Sequence, residues 1–434
     1  MSDITTRLLA STVLAVGLIA GPAFAQDDAN GDTGTEQVEG AAPAEGDEAA
    51  GTGPVETAAP NAPDQEPAFP EQTRADQPAE MPQIDVQTVA EDLPHLWAME
   101  FLPDGRMLVT AKDGAMHIIT AEGEVGPEIS GVPEVAAAGQ GGLLDVILAP
   151  DFEESNRIFF SFAEPRDDGN GTSVASATLV ADEENGGALE DVEVIFQQMP
   201  SYDGDKHFGS RLEIDADNAL FIAVGERSDE PIRDQAQDLE SGLGKVFRVT
   251  LEGEPFEGNP FIDEDGAQPE IFSYGHRNIQ SATLDGEGRL WTVEHGPRGG
   301  DELNRPEAGL NYGWPTITYG IAYGGQEIGE GITQMDGMEQ PVYYWDPSPA
   351  PSGMDYYEGE EFPEWEGAFL IGGLVSQGLI VLRMDGDMVA SEERIALDAR
   401  IRDVRVGPDG AVYAVTEDRD GGSSTILRLA RAQD

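Results

Sequence analysis

The chain has 434 residues and a formal charge of −60, from 84 acidic against 24 basic side chains, and it contains no cysteine. So acidic a surface repels phosphate backbones and anionic lipid, which argues against nucleic acid as a partner. Without thiols there is no disulfide or thiolate chemistry, and an oxidising compartment does the chain no harm.

Residues 1–25 read as a secretory signal. Arg7 precedes an apolar run from Leu8 to Ile19, and Ala23-Phe24-Ala25 fits a small-residue cleavage site. The run is short for a membrane span, so no span is expected once the signal is removed. Residues 26–82 are almost wholly Asp, Glu, Gly, Ala, Pro, Thr and Gln, with Arg74 as their single basic side chain. That composition predicts a disordered acidic tether, because it buries too little apolar surface to offset chain entropy.

From residue 83 to residue 434 the pattern changes to short strands separated by turns. One unit recurs: an apolar pair, a Pro-Asp-Gly or a relative, then an apolar strand. It starts at Met99, Val146, Leu212, Ala282 and Val404, with a degenerate copy at Met354. Turn residues between such runs read as β-hairpins. Their return every roughly 45 to 70 residues predicts an all-β fold, a six-bladed β-propeller of four-stranded antiparallel sheets. The alternative is a large β-sandwich or two smaller all-β domains. The segment IDVQTVA from Ile84 is predicted to close the ring against the last blade.

Propeller loops converge at one end of the channel, so polar groups beside the strand units are the candidates for chemistry. Gln140 stands between glycines before a strand, where a plain turn is an equal reading. His207 precedes a strand start and suits a general base, since imidazole exchanges protons near neutrality; a structural histidine is the competing reading. Gly275–Trp314 brings Arg277 and Asn278, then Gly296-Pro297, then Asp301 and Glu302, then an Asn-Tyr-Gly-Trp close. A cation and an amide beside carbonyls and carboxylates suit an anionic ligand bridged to a hard metal, with calcium fitting better than magnesium or zinc. Arg400 and Arg402 alternate with Ile401, which puts both guanidiniums on one face as a grip for carboxylates or as a plain surface pair.

These loops, in this order, resemble the soluble pyrroloquinoline quinone (PQQ)-dependent sugar dehydrogenases, in particular their aldose sugar dehydrogenase branch. The carriers are GQGGLLDVILAPDF, HFGSRL, EIFSYGHRN, EHGPRGGDELN, LNYGWP, SPAPSGM and RIRDVRVGPDG. The resemblance implies a six-bladed propeller that oxidises aldose sugars to lactones with PQQ and calcium. It implies His207 as general base and Gln140, Arg277, Asn278, Tyr323, Arg400 and Arg402 around PQQ. Arg277 would also stabilise charge on the quinone oxygen. It implies the Gly296 and Pro297 carbonyls on the calcium next to the quinone, with Asp301 supporting that loop, and Glu302 with the Tyr312 carbonyl at a second, structural calcium. It further implies a secreted, periplasmic enzyme, a monomer or homodimer, that hands electrons to an external acceptor.

Two positions depart from the glucose-oxidising branch. Val375 stands where that branch has a lysine on PQQ, and Lys206 precedes the base where it has an acid, so His207 needs another group to orient it. Both point to the broader aldose branch. The rival readings are a non-catalytic calcium-binding propeller for a glycan or protein, and a calcium-dependent lactonase with its metal on channel carboxylates.

Overall fold

The computed structural model describes residues 53–434 except 183–185, 420 and 434. The signal peptide and the first half of the predicted tether lie outside the described residues.

The described chain forms six four-stranded antiparallel sheets. Their first strands are Leu96–Phe101, Leu143–Leu148, Gly209–Ile214, Ile279–Leu284, Pro351–Tyr356 and Ile401–Val406. These six lie side by side in a closed ring, so they line the channel of a six-bladed propeller. Every recurring unit read from the sequence forms the first hairpin of a blade. Ile84–Leu93 pairs antiparallel with Ser424–Arg431, so the outermost strand of blade six comes from the start of the domain, as predicted. That pairing ties the two ends of the ring by backbone hydrogen bonds.

Six cores alternate with the six blades, and each is filled from two sheets. The second strand of blade two shows why: Phe160 points into the core shared with blade one, and its neighbour Phe159 into the core shared with blade three. Successive side chains leave a strand on opposite faces, and both faces of a blade are covered. Central strands such as LFIAV and FLIGG are therefore apolar throughout instead of alternating.

The predicted disorder of residues 26–82 fails for the described part of that stretch. Residues 54–82 form a strap on the outside of blades four and five, folded back on itself through a Pro54–Asp76 bridge. Ala62, Gln72 and Ala75 are buried. The strap holds on mainly by polar contacts: Gln72 donates to the Pro341 carbonyl at 2.9 Å, Tyr343 donates its hydroxyl to Glu392 at 2.8 Å while accepting from the Ala75 amide at 2.7 Å, and Arg394 pairs with Glu56 at 2.8 Å. Composition alone misjudged it because the strap needs no core of its own; it borrows a finished surface.

Candidate functional site

One end of the channel opens into a cavity of about 990 Å³, lined by residues of several blades, among them Gln140, Gln280, His295, Tyr323, Arg400 and Arg402. Its volume is at the upper end of the range of small-molecule sites, about 300–1,000 Å³.

His207 sits in the wall beside Phe208 and Gly209, which line the cavity. Its backbone is in the left-handed region at φ 48°, an uncommon state for a non-glycine residue. Its amide donates to Gln140 Oε1 at 2.8 Å, and its Nδ1 lies 2.6 Å from Glu226 Oε2. A carboxylate only accepts, so the proton is on Nδ1 and Nε2 carries the lone pair. No protein group among the described residues bonds Nε2. Burial lowers the His207 pKa, reinforced by the Arg277 charge and opposed by Glu226, so the ring is neutral and basic at neutral pH. Glu226 stays ionised: burial works against its charge, but His207 and Arg277 outweigh it and hold its carboxyl below the usual range. Glu226 also accepts from Trp314 Nε1 at 3.1 Å and from the Ser228 amide at 2.9 Å. The orienting group that Lys206 cannot supply is thus Glu226.

Arg277 and Asn278 lie next to this pair. Asn278 Oδ1 accepts from the Gly209 amide at 3.2 Å, and Arg277 Nη1 donates to the His295 carbonyl at 2.8 Å. Arg277 also stands over the Trp314 ring at 5.0 Å, and its buried Nε has no hydrogen-bond partner among the described residues. His295 Nε2 donates to the Pro351 carbonyl at 2.8 Å. Burial, with the Arg402, Arg277 and His207 charges, pushes the His295 pKa down to about 3, so it is a neutral wall residue.

Arg400 and Arg402 both face the cavity, but a protein carboxylate is already between them. Glu417 takes Arg402 Nε at 2.9 Å and approaches Arg400 Nη2 at 3.9 Å. Burial opposes the charge of Glu417, and the two arginines overcome it and drive its pKa far down. The buried Nε of Arg400 has no hydrogen-bond partner among the described residues. Lys112 is a further cation in the lining, its Nζ donating to the Gly139 carbonyl at 2.8 Å. Tyr323 and Val375 are exposed members of the lining, at 70% and 60%.

The Gly296-Pro297 turn is held from both sides by Asp301, which accepts from the Gly296 amide at 2.8 Å, the Ala350 amide at 3.0 Å and the Ser348 hydroxyl. Burial pushes the Asp301 pKa up to about 6. A side chain at 296 would put its Cβ 2.2 Å from the Gly300 carbonyl oxygen and 2.5 Å from that of Gly299, so only glycine fits this fold-over. The Gly296 and Pro297 carbonyls accept no hydrogen bond from the described residues.

Glu302 and Tyr312 do not line the cavity. They belong to a buried group behind Arg277, where Asn304 Nδ2 donates at 2.9 Å to both Glu294 and Glu302, and Glu294 also binds the Arg277 amide at 2.6 Å. Tyr312 stacks on His276, which bonds Glu294 at 3.0 Å. Burial and then the Glu294 charge raise the Glu302 pKa well above the usual carboxylate range. Asn304 Oδ1 is buried and accepts from no donor among the described residues. Two carboxylates and a bare amide oxygen in one buried place form a hard oxygen set.

The family model for Glucose / Sorbosone dehydrogenase matches residues 93–428. The chain belongs to that family. This dehydrogenase, an oxidoreductase, is 45% identical over 344 residues to the aldose sugar dehydrogenase YliI of Escherichia coli (strain K12), covering 78% of this chain and 91% of that protein. The structure of the soluble aldose sugar dehydrogenase from Escherichia coli in its apo-form matches it with a TM-score of 0.76 at 43% identity, over 81% of this chain and 100% of that one. The PQQ-bound aldose sugar dehydrogenase from Streptomyces coelicolor matches with a TM-score of 0.66 at 30% identity, over 81% and 99%.

Sequence reasoning missed Glu226, His295, Glu417, Lys112 and Glu294. A signal for the acids was present: Val-Gly-Glu, Val-Glu and Val-Thr-Glu end the second strand of blades three, four and six. The antiparallel register sets that end beside the start of the first strand, with Gly209 opposite Val224, Ile279 opposite Glu294 and Ile401 opposite Thr416. Each acid therefore meets the functional residue that precedes or begins the first strand.

Proposed function

We propose that the protein is a PQQ- and calcium-dependent dehydrogenase that oxidises aldose sugars at the anomeric carbon to lactones. The observation that carries this reading is His207, neutral and oriented by the ionised Glu226, beside a cavity lined by Arg400 and Arg402. Three carboxylates call for guanidinium forks: Arg400 and Arg402 line the cavity, and Arg400 there and Arg277 beside His207 each keep a buried Nε that no described residue bonds. Gln140, Arg277, Asn278, Tyr323, Arg400 and Arg402 would hold the cofactor, whose ortho-quinone accepts hydride. The bare Gly296 and Pro297 carbonyls would hold a calcium that polarises the quinone carbonyl as a Lewis acid. Glu302, with the Tyr312 carbonyl and Asn304 Oδ1, would hold a second, structural calcium.

The chain's own part in the reaction is proton transfer and charge stabilisation. His207 Nε2 takes the proton of the anomeric hydroxyl. Glu226 keeps the ring in the tautomer that leaves Nε2 basic and steadies the imidazolium that forms. Arg277 places positive charge where oxyanion character develops. An external electron acceptor completes the turnover. Export to the periplasm follows from the leader read at residues 1–25, and a cellular protein that keeps Met1 in the cytoplasmic fraction would refute that part.

The test is dye reduction by the full chain given PQQ, calcium and a panel of aldoses. Sugar-dependent reduction, abolished by omitting PQQ, is expected. No reduction together with an unchanged PQQ absorbance on mixing would end the reading.

A further inference from the structure

The strap at residues 54–82 lies outside the family match, which begins at residue 93. It nevertheless reaches the loop that carries Gly296 and Pro297. Asp346, 5% exposed, accepts three hydrogen bonds on its carboxylate, from the Asn61 amide at 2.9 Å, Asn61 Nδ2 at 2.7 Å and the Ala62 amide at 2.9 Å, and a fourth on its carbonyl from Arg74 Nη2 at 2.7 Å, all from the strap. The same Asn61 side chain accepts, through Oδ1, from Arg298 Nε at 2.9 Å. Arg298 is the residue after Pro297, and its backbone exchanges hydrogen bonds with Ile321 at 2.9 and 3.1 Å. Asp346 stands two residues before Ser348, whose hydroxyl joins Asp301, the residue that holds the Gly296 amide. Gly300 donates to the Trp345 carbonyl at 2.8 Å, next to Asp346.

One amide thus links two loops of the rim that share no covalent path shorter than the whole outer part of blade four. Both of its ends are used: the carbonyl on the 296–301 loop, the NH₂ on the 345–350 loop. The Asn61 side chain supplies one of the three donors to this buried carboxylate and the acceptor of Arg298 Nε, so its loss leaves the Asp346 charge less compensated and unties Arg298 from the strap, while the two backbone donors remain.

We propose that Asn61 is a positioning residue for the dehydrogenase site, a clamp added outside the family's propeller that fixes the Gly296-Pro297 turn through Arg298 and Asp346. As a statement about metal affinity this rests on the reading of those two carbonyls as calcium ligands; as a statement about the loop it does not. Groups that orient metal ligands from behind commonly change metal affinity about 10–100-fold when removed.

The experiment compares the full chain with Asn61→Ala and with Glu56→Gln. The second variant loosens the same strap at its contact with Arg394, away from the loop. Hydrogen exchange is measured on metal-free protein, and calcium binding by calorimetry with PQQ present. Asn61→Ala is expected to speed exchange of the Arg298 and Gly300 amides and to weaken calcium binding about tenfold, while Glu56→Gln changes neither. Equal exchange in all three proteins, or the same change in both variants, overturns the clamp. Faster loop exchange in Asn61→Ala with a wild-type chain that binds no calcium would keep the clamp and overturn the metal reading.

Discussion

Two layers of the same channel are built from arginine and carboxylate, and they differ in what is left over. In the middle layer Arg211 donates to Asp145 at 2.9 Å, Asp403 at 2.7 Å and the Gln280 carbonyl at 2.8 Å, and packs over Trp97. The second oxygens of those acids take the Leu212 and Met99 amides at 2.8 and 2.9 Å. Among the described residues no buried polar atom of these three side chains lacks a partner, all three are buried, and the cluster ties five blades across the axis. In the cavity layer the arginines are only part-satisfied: Glu417 holds Arg402 firmly and Arg400 loosely, and Arg277 and Arg400 keep bare nitrogens. Ion pairs that close on themselves fix a frame, and ion pairs that do not close leave donors for a ligand.

The largest effect expected on this contrast is at the base. His207→Asn should lower kcat by about 10²–10⁴ while PQQ uptake, followed by absorbance, persists. Glu226→Gln should follow it at about 10²-fold or more, because it releases the tautomer. The acid limb of kcat/KM in the wild type should fall below 6.5, the ordinary histidine value, since burial lowers the His207 pKa and only the neutral ring accepts a proton. A limb above that value would contradict the assignment.

Next in size is the closed layer. Arg211→Met leaves the buried Asp145 and Asp403 with only the more distant Arg405, at 3.8 and 3.7 Å, and should cost about 3–5 kcal/mol of stability, read by chemical denaturation. Arg400→Ala should do the reverse, leaving the melting curve within about 0.5 kcal/mol and weakening PQQ binding, read by titration. If Arg400→Ala unfolds the protein as Arg211→Met does, the two layers are not different in kind. The smallest effect belongs to Val375→Lys. A cation at this exposed lining position should tighten PQQ by about 0.2–1 kcal/mol, the worth of a solvent-exposed pair, with the gain shrinking as salt is raised.

Much of this was legible before the fold was seen. Turn residues between apolar runs gave the hairpins, and their recurrence gave the blade count, because a blade cannot bury its faces alone and must be repeated. The candidates Gln140, His207, Arg277, Asn278, Arg400 and Arg402 stand at the starts of first strands, where the ring brings them to one mouth. Their partners were harder to see. Glu226, Glu294 and Glu417 lie 15 or more positions away, and each looked like one more acid in a chain full of them. The strap was misread for a related reason: composition reports what a segment can bury by itself, and says nothing of a surface waiting for it.

By itself, then, the sequence determined the periodic part of this protein, since alternation and turn chemistry act between near neighbours. Only the tertiary structure decided which of the 84 acids meet a base or a cation. That choice rests on strand register and ring closure, which set distances between residues that local patterns never compare.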